Sequence, residues 1–117
     1  MTTYAVVGKP VTREDGPDKV SGHTRYSGDL ILPGMLWGKV LRSPVPHARI
    51  VHIDIAGALK LPGVHAVLTG RDLAGILVGR TLRDTPLLAQ DKVRFVGEKV
   101  AAVAADNLDT AEEALTQ

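Results

Sequence analysis

Glycine and proline divide this chain into short segments, and their spacing limits the elements that it can form. Between residues 8 and 29 they stand among charged and hydroxyl residues, at Gly8, Pro10, Gly16, Pro17, Gly22 and Gly28. This composition favours extended chain and turns over helix. Asp15-Gly16-Pro17 predicts a turn, because Gly tolerates positive φ and Pro fixes its own φ. The segment cannot bury enough surface alone, so we expect it to lie against something else.

From Pro33 onward the pattern changes to short strands and short helices. Strands are predicted at 35–41, 50–55, 64–69, 93–96 and 99–105. The second of these alternates apolar and polar residues, which is typical of a half-buried strand. A turn is expected at 70–73, and residues 74–92 predict a long connection in which Leu87 and Leu88 are buried anchors. Gly97 indicates a turn or bulge between the last two strands.

Two short helices are predicted among these strands. The first covers 56–61 and is stopped by Pro62-Gly63. The second follows Asp106 or Asn107, either of which can cap it through a side-chain oxygen. Its two faces are distinct, with Leu108, Ala111, Ala114 and Leu115 on one and Glu112 and Glu113 on the other. Strands interleaved with short helices indicate an α/β or α+β domain.

The composition of the chain excludes several kinds of site. The 117 residues contain no Cys, which excludes a disulfide framework, a thiolate nucleophile and Cys-ligated metal or iron–sulfur centres. A net charge of +1 and four aromatic residues give no sign of a nucleic-acid surface. No apolar run approaches the length of about 20 residues that spans a membrane. The N-terminus lacks a secretory pattern, so a cytoplasmic location is expected.

The four histidines do not have the spacing of a metal site. His23, His47, His52 and His65 form no pair on one face, and no HExxH is present. We expect His52 and His65 to be solvent-facing or hydrogen-bonded structural residues. His47 lies in a predicted loop, where contact with a ligand or partner is a secondary hypothesis.

The other polar residues predict structural roles. Ser43 lacks the GxSxG context of a nucleophile, so we expect it to stabilise a turn. Neither Gly8-Lys9-Pro10 nor the glycines at 70–75 match a phosphate-binding loop. Trp37 is expected to be a core or interface anchor. Caps and turns are predicted for five acidic residues, Asp29, Asp54, Asp72, Asp91 and Asp106. We therefore predict no catalytic, cofactor-binding or metal-binding residue in this chain.

A series of short blocks resembles the opening of the large subunit of molybdenum hydroxylases, the xanthine dehydrogenase and aldehyde oxidoreductase family. The first blocks are Asp15-Gly16-Pro17-Asp18-Lys19-Val20-Ser21-Gly22 and Arg25-Tyr26-Ser27-Gly28-Asp29. Later ones include Leu32-Pro33-Gly34-Met35-Leu36, His47-Ala48-Arg49-Ile50, Leu61-Pro62-Gly63-Val64, Leu87-Leu88-Ala89-Gln90-Asp91-Lys92-Val93 and Val96-Gly97-Glu98. Each block is weak alone, but together they follow the family order along nearly the whole chain.

The resemblance implies an α+β fold, the α/β hammerhead domain, with a mixed sheet and short helices. It implies an extended Gly/Pro-rich N-terminal arm, 1–29, followed by the hammerhead domain, 30–117, cut short at its C-terminal helix. Molybdopterin–molybdenum, iron–sulfur clusters and FAD are implied for the parent complex, none of them bound by this chain. The implied partners are the remaining molybdopterin-binding domains or subunit and the iron–sulfur and FAD subunits, with no nucleic acid and no membrane.

Two functional hypotheses follow. The first is a scaffold and interface domain of a molybdopterin-dependent oxidoreductase that acts on xanthine, aldehyde or aromatic-type substrates, inactive as an isolated chain. The alternative is a free-standing binding or interaction module that retains the hammerhead fold. The sequence leaves the substrate and the electron acceptor open.

Overall fold

The computed structural model describes residues 4–117, and the chain forms two compact units, Met1–Pro33 and Gly34–Gln117. No helix in the described part of the chain is long and apolar enough to cross a membrane. The division predicted from the sequence, an arm at 1–29 and a domain at 30–117, stays a prediction.

The first unit contains helix α1 (Gly16–Ser21) and a single 3₁₀ turn (Ser27–Asp29). The prediction of a turn and extended chain is therefore wrong over Gly16–Ser21. Pro17 lies in the first helical turn, where its missing N–H is not needed and its fixed φ suits a helix. None of residues 4–33 is buried. This unit therefore has no core of its own.

The second unit contains a three-stranded sheet, two helices and two very short ladders. Its strands are β1 (Trp37–Arg42), β2 (Ala48–Arg49), β3 (Val64–Thr69), β4 (Leu77–Val78), β5 (Thr85–Pro86), β6 (Lys92–Val93) and β7 (Lys99–Ala105). Its helices are α2 (Ala56–Lys60) and α3 (Leu108–Ala114). The α+β class with short helices is confirmed. The predictions for β3, β7 and α2 are also confirmed, with α2 one residue shorter than expected.

Strand β7 lies in the centre of the sheet, in the order β1-β7-β3. Val103 pairs with Lys39 of β1 and with Val67 of β3. Two further ladders join β2 to β6 and β4 to β5. We expected a mixed sheet, and every strand pair within residues 4–117 is antiparallel.

Helices α2 and α3 cover one face of the sheet. The buried cluster consists of small residues, Ala58, Val103, Ala105, Ala111 and Ala114. Alanine at these positions lets the helix backbones approach the sheet closely. The side chain of Asn107 caps α3, because its Oδ1 accepts from the N–H of Thr110 at 2.8 Å. The predicted cap is confirmed, whereas Leu108, predicted on the buried face of α3, is 38% exposed.

A buried carboxylate holds the turn between β6 and β7. Glu98 is 6% exposed and accepts from the N–H of Arg94 and, at 3.2 Å, from its guanidinium. Two backbone hydrogen bonds join Ser43 to the same turn. The Ser43 N–H donates to Glu98 O at 2.9 Å, and the Gly97 N–H donates to Ser43 O at 2.8 Å. Gly97 has φ +89°, as the predicted turn requires. Because the Arg94 N–H bonds to Glu98, the predicted strand 93–96 is confined to Lys92–Val93.

The strand predicted at 50–55 is wrong. Ile53 and Ile55 are half-buried and His52 and Asp54 are exposed, as the alternation predicts, but Val51, on the same side as the two isoleucines, is 82% exposed. A strand also needs a partner with free backbone groups. The β2–β6 ladder ends where the Ile50 N–H bonds to Asp91 O at 2.9 Å, and no strand follows it in the described residues.

The connection predicted over 74–92 contains the small hairpin of β4 and β5. Leu88 is buried as expected, at 4% exposure, and the next residue ties the connection to β7 through an N–H bond from Ala89 to Lys99 O at 2.7 Å. Leu87 is 38% exposed, so its predicted role as a buried anchor is wrong.

Close backbone contact at Gly70 joins the end of β3 to this connection. A Cβ added at Gly70 would lie 2.1 Å from Ala89 O, a backbone atom that has little freedom to move. We predict that Gly70→Ala lowers the free energy of unfolding by about 3 kcal/mol through overpacking. Chemical denaturation of the purified chain measures this change.

Gly38→Ala is the matched control, because its added Cβ would meet only Val103 O at 3.9 Å. We expect this control to change the free energy of unfolding by less than about 0.5 kcal/mol. Equal stability of the two variants would contradict the close contact at Gly70.

Asp72 stabilises the turn after β3 as an ionised group. Its Oδ2 accepts from the Thr69 N–H at 2.7 Å and from the Thr69 hydroxyl at 2.8 Å. The first and then the second of these bonds lower the pKa of Asp72. Since the folded pKa is depressed, this contribution to stability is present above about pH 3.9, the ordinary value for Asp, and is lost as the pH falls through the folded pKa.

We therefore predict that Asp72→Asn destabilises the chain at neutral pH. The difference in unfolding free energy between variant and parent should shrink as the pH falls below about 3.9. Denaturation curves at a series of pH values test this prediction. A difference that is constant with pH would show that the charge of Asp72 contributes nothing.

Candidate functional site

The structure does not bring the four histidines together as a metal site. His65 Nε2 contacts Asp106 Oδ1 at 2.7 Å, and His23 Nδ1 contacts the Ser21 hydroxyl at 2.6 Å. His47 and His52 are exposed. The solvent-facing or hydrogen-bonded positions predicted for His52 and His65 are confirmed. Residues 4–117 contain no group of three or more His, Cys, Asp or Glu side chains arranged to hold a metal.

Ser43 and the acidic residues have structural surroundings. The Ser43 hydroxyl donates to Val45 O at 2.9 Å and accepts from the Val45 N–H at 3.2 Å, which confirms its predicted role in a turn. Asp29 and Asp54 accept from nearby backbone N–H groups, as predicted. Asp91 instead pairs with Arg94 at 3.6 Å, and Asp106 with His65.

The side-chain atoms of the histidines, Ser43 and the acidic residues described above do not fit the ligands of a molybdenum centre or an iron–sulfur cluster. The chain has no cysteine, and the carboxylates of Asp72, Glu98 and Glu112 are engaged in turns and an ion pair. The prediction that the chain has no catalytic, cofactor-binding or metal-binding residue stays a prediction.

Within the second unit, Gly34–Gln117, the sheet face opposite α2 and α3 is apolar and is covered by neither helix. Two rows of paired residues form it, Val40–Ala102–Leu68 and Gly38–Ala104–Ala66. We call these six residues the open face. Leu68 is 44% exposed, and a hollow of about 210 Å³ next to it is bordered by Leu73 and Leu87. The open face is a flat apolar platform beside the loop that connects β3 to β7.

The sequence of β7 contains a signal for an apolar surface on both sides of the sheet. Residues 100–105 of β7 are apolar without interruption, whereas a strand with one wet face alternates. Such a run is consistent with a strand buried on both faces. In the structure α2 and α3 cover only the side of Ala101, Val103 and Ala105.

The chain exposes more surface than a folded monomer of its mass. Its accessible surface is 9308 Å². The scaling of folded monomers gives about 6,100 Å² for 12.4 kDa, so the excess is about 3,200 Å². Exposed apolar side chains contribute to this total, among them Phe95 at 54% and Val96 at 62% in the turn after β6. Permanent interfaces bury about 2,000–5,000 Å² summed over both partners, so the excess of this one chain is larger than the share that one partner contributes.

Trp37 contributes to the same kind of surface. It lies at the start of β1 and is 38% exposed, so it is not a core residue. The other predicted role of Trp37, as an interface anchor, stays a prediction.

A second surface feature is an open groove lined by basic residues. Arg49, Arg71 and Lys92 line it together with His47 and Asp91, and its volume is about 730 Å³. We call Arg49, Arg71 and Lys92 the cationic groove. These three residues are separated in sequence. Only the tertiary structure brings them together.

Comparison with known proteins identifies the family. The sequence profile described as "Aldehyde oxidase and xanthine dehydrogenase, a/b hammerhead domain" matches residues 21–117. The chain is 47% identical over 112 residues to a probable xanthine dehydrogenase subunit of Bacillus subtilis, covering 94% of this chain and 15% of that protein. It is 41% identical over 117 residues to the nicotinate dehydrogenase large molybdopterin subunit of Eubacterium barkeri, covering 96% of this chain and 27% of that protein.

A solved structure supports the same assignment. The chain superposes on quinoline 2-oxidoreductase from Pseudomonas putida 86 with a TM-score of 0.83 and 42% identity. The match covers 93% of this chain and 15% of that one, so this chain spans a small part of the proteins that it resembles. The family match, the sequence identity and the shared fold agree, and the chain belongs to the α/β hammerhead domain family of aldehyde oxidases and xanthine dehydrogenases.

Proposed function

We propose that this chain is a scaffold and interface domain of a molybdopterin-dependent oxidoreductase, a hydroxylase or dehydrogenase of xanthine, aldehyde or aromatic-type substrates. The observation that carries the proposal is the apolar surface left open by the fold. A stand-alone monomer rarely leaves such a continuous apolar area uncovered. The relatives are several times longer than this chain, and a large subunit of that length offers a partner for the surface.

The open face supports docking of the molybdopterin-binding part of the enzyme. Small residues at Gly38, Ala66, Ala102 and Ala104 make the platform flat, so that a partner element can approach the sheet backbone closely. Val40 and Leu68 supply larger apolar side chains beside it. Burial of such a surface stabilises association by about 25 cal/mol per Å² before entropic costs.

The first unit fits the same role. Nine large apolar side chains among residues 4–33 are more than half exposed, from Leu32 at 54% to Val20 at 89%. A segment without a core gains order only from a surface outside itself. We propose that the molybdopterin-binding domains provide that surface and that the chain borders the entrance to the substrate channel.

Catalysis belongs, in this proposal, to other parts of the enzyme. Molybdopterin–molybdenum would be held by the partner domains, and iron–sulfur clusters and FAD by further subunits. This chain would support the partner domains and border the entrance to the substrate channel without taking part in the reaction. We propose that the complex lies in the cytoplasm. The alternative of a free-standing binding module has no observation in its favour, and the excess surface argues against it.

Affinity purification of the chain from its native source tests the proposed function. We expect a large complex in which mass spectrometry finds a molybdopterin-binding polypeptide and metal analysis finds molybdenum and iron. Recovery of the chain as a monodisperse protein without a molybdenum-containing partner would contradict the proposal and favour the free-standing module.

A charge on the open face tests where the partner docks. We predict that Leu68→Glu weakens assembly with the molybdopterin-binding part at least about tenfold, because an unpaired carboxylate would be buried. Leu68 is 44% exposed in the free chain, so the fold itself should persist. Co-purification after co-expression and far-UV circular dichroism of the variant measure the two effects.

His52→Glu is the matched control, since it introduces a carboxylate at an exposed position away from the open face. We expect this control to assemble as the parent does. If Leu68→Glu assembles equally well, the open face is not the docking surface, even where the native complex contains molybdenum.

A further inference from the structure

The cationic groove places like charges next to each other without neutralising them. Arg49 and Lys92 are direct cross-strand partners in the β2–β6 ladder. Arg71, from the turn after β3, lines the same groove. Like charges directly opposite each other destabilise a strand pair. The ladder has only two residue pairs, so this repulsion acts on half of it.

The one carboxylate among the residues that line the groove pairs with a residue outside the lining. Asp91 also lines the groove, and it pairs with Arg94 at 3.6 Å. Within residues 4–117, Arg49, Arg71 and Lys92 form no ion pair. The chain carries 13 acidic residues against 14 basic ones, so this local excess of positive charge is not a reflection of composition.

We propose that the cationic groove binds a carboxylate-rich segment of a partner protein. Arginine guanidinium groups bind carboxylates through paired hydrogen bonds, and Arg49 and Arg71 supply two of them. The charges come from three separate elements around a volume of about 730 Å³, and a segment with several carboxylates is long enough to reach all of them. Such complementary charges fix register and speed association.

The inference rests on the proposed function in one respect, since the partner is a further subunit of the same enzyme. The groove differs from the open face in chemistry. The open face would bury apolar area, whereas the groove would hold its ligand by salt-sensitive contacts. Failure of one therefore does not entail failure of the other.

Fluorescence anisotropy with a labelled hexaglutamate peptide and the full chain tests the inference. We expect binding that weakens at least tenfold between about 50 mM and about 300 mM sodium chloride, because salt screens exposed charges. The triple variant Arg49→Glu, Arg71→Glu, Lys92→Glu should lose binding. The control triple Lys60→Glu, Arg80→Glu, Arg83→Glu has the same net charge outside the groove and should keep it.

Lys92→Glu alone separates a binding role from a structural one. Because it replaces a repulsive pair by an attractive one, we expect its melting temperature to rise while its affinity for hexaglutamate falls at least about threefold, the factor expected for loss of a weak exposed ion pair. This single variant also keeps the test decisive if either triple variant fails to fold. Parallel loss of stability and binding would overturn the inference.

Three further outcomes would overturn it. Equal loss of binding in the two triple variants would show a general charge effect. Absence of hexaglutamate binding by the parent chain at low salt would show that the groove does not bind a carboxylate-rich segment. Displacement of the peptide by inorganic phosphate, but not by sodium chloride of the same ionic strength, would assign the groove to a phosphate group. None of these readouts depends on whether the native complex contains molybdenum.

Discussion

Hydrogen bonding on both edges of β7 is the constraint on which the second unit depends. β7 pairs with β1 on one side and β3 on the other, so every residue from Ala101 to Ala105 belongs to a ladder. Its alternate residues then face opposite sides of the sheet. Ala101, Val103 and Ala105 pack under the helices, whereas Ala102 and Ala104 form the centre of the open face. One strand therefore provides both the core and the proposed docking surface.

The size of the core follows from the residues of this strand and its helices. Alanine and valine bury little area each, so the cluster around Ala105 and Ala111 supplies only part of the burial that a domain of this length needs. Many of the large apolar side chains lie instead on the surface, among them Leu68, Phe95 and Val96. In the proposed function, such a domain gains stability from its assembly, because the surface that weakens it as a monomer is buried against the rest of a larger enzyme.

Local patterns predicted the elements whose signals are complete within a few residues. β3 is mostly apolar, β7 is apolar without interruption from Val100 to Ala105, and α3 begins at an Asn that caps it. The failures depended on contacts from elsewhere. Residues 50–55 have strand periodicity but no strand partner. The Arg94 N–H donates to the buried carboxylate of Glu98 and therefore does not extend the β2–β6 ladder. At Gly16–Ser21 the same Gly-Pro pair that predicts a turn also starts a helix.

The sequence by itself determined the family, through ordered blocks along the chain, and most of the element order, because helix caps, turns and apolar runs act over short distances. It also predicted that no metal or cofactor is held here. Only the tertiary structure decided which apolar residues are left uncovered and which charges meet. The open face requires the register of three strands, and the cationic groove joins residues 49, 71 and 92. Surface features of this kind depend on pairs of residues distant in sequence, and no local pattern specifies such pairs.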